Sequence, residues 1–204
     1  MLDVLIKGGP VMIPLIFSSI LAVAVTLERV WYLSKTRSNS EELINEVRLA
    51  LEEGKPLEAI HQLKRQKGPV ARILAAGLAF SDRDREDLRS RLAQVGQDEV
   101  YKMERRLSVL DTIVTVAPLL GLLGTVTGII STFQVLGTME ALGSPQDLSS
   151  GIAEALITTA TGLIIAIPTM AAYNWISSII DRRVLDMNRR AEELLDLLAA
   201  EEGA

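Results

Sequence analysis

Between Thr112 and Met139 the chain runs for 28 residues without a charge. A helix needs roughly 20 apolar residues to cross the hydrocarbon core of a bilayer. In lipid the backbone must satisfy its own polar groups, so a tract of this length is expected to be a transmembrane helix. It is not uniformly greasy. Pro118, Gly121, Gly124 and Gly128 lie in its middle, with hydroxyls at Thr112, Thr115, Thr125, Thr127, Ser131 and Thr132. Small and polar residues of this kind suit a helix that meets other helices or lines a polar path.

The rest of the 204-residue chain fits a membrane protein. Its hydrophobic content is 49% and its mean hydropathy +0.28, yet 23% of residues are charged. Most of the charges crowd into 28–106 and 181–202, leaving three long uncharged tracts. A net charge of −5 argues against a nucleic-acid partner. There is no cysteine, hence no disulfide and no thiolate metal site.

The first tract, Val11–Leu27, leads to Trp31 and Tyr32, an aromatic belt where a helix leaves the membrane. Lys7, the apolar run and Ala22-Val23-Ala24 imitate a secretory leader, but Pro10, Pro14 and Asp3 fit one poorly. The third tract, Ala155–Ile180, has Tyr173 and Trp175 near its end, and Glu154 is the one acid within its reach. Lys and Arg follow span one (Arg29, Lys35, Arg37), precede span two (Lys102, Arg105, Arg106) and follow span three (Arg182, Arg183, Arg189, Arg190). The loop between spans two and three has neither, only Glu140 and Asp147. The positive-inside rule then places the N-terminus outside and both large polar parts in the cytoplasm.

The expected fold is all-α and integral to the membrane, with three transmembrane helices and long cytoplasmic helical extensions. The expected segments are an outer or interfacial piece at 1–9, span one at 10–33 and a cytoplasmic helical domain at 34–110. Span two at 111–136, a short outer loop at 137–148, span three at 149–180 and a C-terminal cytoplasmic helix at 181–204 follow. Within 34–110, Ser38 and Glu41 offer a capping box, and Gly54-Lys55-Pro56 and Gly68-Pro69 are stop signals. A further helix opens at Ser81–Asp84, with its stripe running Leu88, Leu92, Val95, Val100, Met103, Leu107 and Leu110. That stripe shows no break before span two, which predicts one continuous rod. The same continuity is expected after span three, so that the rods form a bundle beyond the membrane; the alternative is amphipathic helices lying on the lipid.

No enzyme motif is present: no phosphate-cradling G-x-x-x-x-G-K, no G-x-S-x-G, no H-E-x-x-H. His61, the single histidine, sits among Gln62, Lys64 and Arg65 and reads as a solvated surface residue. No cofactor is expected. The distinctive chemistry is hydroxyls in lipid, with Thr158, Thr159, Thr161 and Thr169 in span three and Glu154 at its outer end. A single threonine in such a helix usually bonds its own backbone a turn earlier. A cluster of hydroxyls with an acid is different, since ionisable groups in membranes mark ion or proton pathways. Gly121, Gly124 and Gly128 form one small-residue face and Gly151, Ala155 and Thr159 another, both suited to close helix packing. Pro118 and Pro168 each remove a backbone bond and favour a kink.

Four stretches together resemble the ExbB/TolQ/MotA family of ion-driven motor subunits, and its ExbB/TolQ branch most. They are Lys7-Gly-Gly-Pro-Val-Met12, Leu27-Glu-Arg29, Ala117–Ile129 and Gly151–Leu163, the last followed by Ala166-Ile-Pro168 and Tyr173-Asn174. The resemblance implies a homopentamer in the bacterial inner membrane, with the outer segments periplasmic and spans two and three around a central pore. In the pore would sit a dimer of an ExbD/TolR-like single-span partner, which contributes the titrating aspartate this chain lacks. The implied function is conversion of the proton motive force into work on a TonB- or TolA-like envelope protein. By similarity Thr125 and Thr159 match the family's pore threonines and Glu154 its pore-facing glutamate. Three spans favour ExbB/TolQ over the four-span MotA branch. Thr127, Thr158 and Thr161 stand where proton-coupled relatives often look apolar. Sodium needs several oxygen ligands, so the Thr158-Thr159 pair keeps a sodium-driven motor open beside the proton reading. A non-conducting assembly scaffold is the reading from another class, while a solute transporter is disfavoured by three spans without an inverted repeat.

Overall fold

The structure is a computed structural model that describes residues 9–138 and 145–202. Its elements are α1 (Met12–Lys35), α2 (Ser40–Glu52), α3 (Pro56–Arg65), α4 (Pro69–Ala79), α5 (Arg85–Glu104), α6 (Leu107–Thr138) and α7 (Pro145–Glu202). No strand occurs among the described residues. α1, α6 and α7 each contain a stretch long and apolar enough to cross a membrane. The expected outer segment, apart from Gly9, and residues 139–144 of the expected loop, including Glu140, lie outside the described residues. α7 starts four residues before the expected edge of span three because Pro145, lacking an N–H, is suited to a first helical turn.

The chain divides into two compact units. One comprises residues 1–28 and 106–175, the other 29–105 and 176–204. In the second unit the core forms from the apolar stripes of α2–α5 and the last part of α7, including Ile44, Leu63, Leu74, Met103, Met187 and Leu194. A Cβ on Gly77 would collide with the Leu194 side chain, so α4 and α7 touch closely there. Ion pairs border this core: Arg89–Glu192 and Arg85–Asp196 at 2.7 Å, Arg48–Glu193 at 3.0 Å. These helices thus bury their apolar faces against one another, which the lipid-lying alternative does not require.

Two expectations are corrected. Ser38 does not cap α2; the helix begins at Ser40 with Asn39 at its N-cap and no side-chain cap. The side chain of Ser38 is instead against Gly68, whose Cβ position would lie 2.6 Å from the Ser38 hydroxyl. Nor is there one rod from α5 into span two. α5 ends at Glu104, Arg105 is extended, and Arg106 takes φ 66°, the one left-handed non-glycine among the described residues. The cause is a tertiary contact invisible to periodicity. Arg29, 3% exposed, donates to the carbonyls of Lys102 (3.1 Å) and Met103 (3.3 Å), which belong to the last turn of α5. Those carbonyls lack helical partners, and a cation at a helix C-terminus also complements its dipole. α1 ends in a similar way. Arg183 of α7 donates to the Leu33 carbonyl and to Thr36 Oγ1. After span three, by contrast, α7 runs unbroken through Pro168 to Glu202.

Candidate ion-pathway site

The site lies in the first unit, where α6 and α7 approach at backbone distance. An added Cβ on Gly121 would stand 3.0 Å from the Thr159 Cα, and one on Gly128 would stand 3.1 Å from the Ala155 Cβ. A Cβ on Gly162 would meet the Ala117 carbonyl at 2.5 Å. At Gly124 it would strike the Thr158 methyl, and at Gly151 the Thr132 hydroxyl. The pairs 117/162, 121/159, 124/158, 128/155 and 132/151 run in opposite directions along an antiparallel seam. Without a hydrophobic drive inside lipid, this contact relies on dispersion at close range, which side chains larger than these would forfeit.

The hydroxyls divide by where their proton goes. Thr125 donates to Leu122 O (2.6 Å), Thr127 to Leu123 O (3.0 Å), Thr158 to Glu154 O (2.9 Å) and Thr161 to Ile157 O (2.8 Å). Each of these bonds stays within its own helix. Thr159 differs: its hydroxyl crosses the seam and donates to Gly121 O at 2.9 Å. The Gly121 carbonyl is reachable because neither residue 121 nor its neighbour across the seam carries bulk. With its proton committed there, the Thr159 oxygen keeps its lone pairs for a donor.

The five residues singled out from the sequence are therefore not one cluster. Thr125 follows Gly121 by one turn on the same face of α6, and both it and Thr159 are half-buried. Thr127, two residues on and about 200° round the helix, is exposed. Thr158 is 1% exposed and wedged against Gly124. Glu154 is half-buried, one turn from Thr158 on its side of α7. A Cβ on Gly9 would collide with the Glu154 carboxylate. Gly9 has φ 69°, the left-handed region that glycine tolerates, so this residue presents bare backbone to the acid. Sequence reasoning did not pair these two, and it also left Gly162 out of the small face. The latter carried a signal: Gly151, Ala155, Thr158 and Gly162 recur at helical spacing. Pro118 and Pro168 both sit inside unbroken helices. Among the described residues no group of acids and histidines could hold a metal ion.

Comparison with known proteins now bears on this geometry. The profile of the MotA/TolQ/ExbB proton channel family matches residues 65–189, which include α6 and the part of α7 that forms the seam. The chain belongs to this family. It is 34% identical over 184 residues to an ExbB homolog of Methanothermobacter thermautotrophicus, a match that covers 90% of this chain and 65% of the relative. With an ExbB-like protein of Synechocystis sp. identity is 36% over 182 residues, covering 88% and 71%. With the Tol-Pal system protein TolQ of Haemophilus influenzae it is 40% over 101 residues, covering 49% and 43%. The chain thus spans just under two thirds of the first relative and less than half of the third. Membership of this proton channel family agrees with the three helices that are long and apolar enough to cross a membrane.

Proposed function

We propose that the chain is an inner-membrane channel and motor subunit, assembled as a homopentamer with its N-terminus outside and C-terminus in the cytoplasm. Spans two and three line a pore that holds two copies of an ExbD/TolR-like single-span partner. That partner supplies the titrating aspartate, and proton passage drives work on a TonB- or TolA-like envelope protein. The observation that carries this reading is the Thr159–Gly121 bond. It holds a half-buried hydroxyl oxygen at the helix seam with its own proton engaged, ready to accept from a protonated carboxyl or a hydrated proton.

The same geometry favours protons over sodium. A sodium ion needs several oxygens converging on one point, whereas the Thr158 side chain is 1% exposed and packed against Gly124. The test is flux in proteoliposomes of the protein with a coexpressed single-span partner, in sodium-free and sodium-containing buffer. Proton flux without sodium is expected, abolished by Thr159→Val and retained by Thr159→Ser. Flux that requires sodium would replace the proton reading. A partnered complex in which Glu154→Gln and Thr159→Val leave envelope function intact would favour the scaffold.

A further inference from the structure

A basic cleft of about 480 Å³ lies where the end of α3 turns into α4. Its rim carries Lys64, Arg65, Lys67 and Arg72, its floor includes Ala75 and Ala76, and no acidic side chain among the described residues lines it. All four basic residues are exposed. Arg72 pairs with the buried Glu99 at 2.8 Å, but Glu99 also holds Lys102 at 2.6 Å, so this triad keeps one positive charge in excess. Lys64 and Arg65 complement the α3 dipole. That role does not extend to Lys67 or Arg72, which lie beyond the end of α3.

The cleft lies beside the end of α1. The Gly68 Cβ position lies 3.2 Å from the Thr36 carbonyl, directly past the end of α1. At 1.5 Å per residue, Thr36 is about 7 Å along the axis beyond the belt residue Trp31, within the depth of a headgroup layer. Arg183, three residues after the uncharged tract of span three ends, donates to the same Thr36. Lys35 and Arg37 add two further exposed cations at this level. We propose that the turn Lys64–Lys67, with Arg72, is a binding site for the phosphate headgroup of an anionic phospholipid. Four donors around a cleft match a phosphodiester, and cations at the surface of an anionic leaflet gain affinity residue by residue. This proposal is independent of the ion and of the partner in the pore.

The test uses the full chain in non-ionic detergent micelles, with fluorescent phosphatidylglycerol and phosphatidylcholine as probes. Wild type should prefer phosphatidylglycerol, and the preference should decline with salt. The variant K64Q/R65Q/K67Q should lose at least about fivefold of it, the effect expected from even one cation at a membrane surface. A control with equal charge removed elsewhere, K55Q before α3 and R83Q/R91Q over the Phe80 ring past the far end of α4, should retain it. In a second measurement on wild type alone, a photoactivatable phosphatidylglycerol should label the peptide containing Lys64–Arg72. Equal binding of the two lipids, an unchanged preference in the triple variant, or labelling confined to other peptides would overturn the proposal. So would displacement of the lipid by excess inorganic phosphate, which would assign the cleft to a soluble anion.

Discussion

Thr158 and Thr159 are neighbours in sequence with opposite employment. The first donates to its own helix and fills the space left by Gly124; the second bonds across to Gly121. Thr158→Val keeps the shape and should leave flux within about twofold of wild type, with stability changed by no more than about 1 kcal/mol. Thr159→Val should abolish flux at a similar cost in stability. Measuring both variants in the same proteoliposomes separates packing from conduction, and equal loss in the two would refute the division. Gly124→Ala has a different signature. Its new methyl strikes Thr158, and overpacking of this sort costs about 1–3 kcal/mol. Thermal unfolding in detergent should detect it, and Thr158→Ser, which removes the opposing methyl, should restore part of the loss.

At the scale of elements, the informative feature is where helices stop. α2 ends in a recognisable way, with Gly54 at φ 68° and its N–H bonded to Leu51 O. α5 ends with neither glycine nor proline, because Arg29 takes up its final carbonyls. A charged donor to buried carbonyls contributes about 1.5–3 kcal/mol, so Arg29→Met should destabilise the protein by about 2 kcal/mol. Hydrogen exchange should then rise first at the amides near the end of α5; uniform loosening elsewhere with α5 unchanged would contradict the capping role. Arg183 does the matching task at the end of α1. Burial, and then the nearby charge of Arg37, lower its proton affinity. As an arginine it nevertheless remains charged at any physiological pH.

For the whole molecule, the question is what covers the spans. Ile13, Phe17, Ile20, Leu27 and Trp31 form an exposed stripe on α1, and Leu119, Leu122, Val126 and Phe133 are exposed on α6. Within a bilayer such surface faces acyl chains or other subunits at little cost, so exposure alone does not distinguish them. The proposed pentamer does. Native mass spectrometry of the detergent-solubilised protein should give five copies, and coexpression with the single-span partner should add two of it. A monomer that still binds the partner would remove the central pore from the proposal.

The all-helical class, the three apolar spans and the two small-residue faces were readable from the chain alone. Helices in lipid need long uncharged tracts, and close helix contact needs residues without bulk, so each leaves a mark at a regular spacing. The break at Arg105–Arg106, the capping by Arg29 and Arg183, and the approach of Gly9 to Glu154 left no such mark. Each depends on residues far apart in sequence, and periodicity reports only which face of a helix is apolar. It was likewise the packing that sorted five candidate hydroxyl and acid positions into one residue bonded across the seam, one buried inside it and three elsewhere. A spacing states that a threonine lies on a face; only the partner across the seam decides where its proton goes.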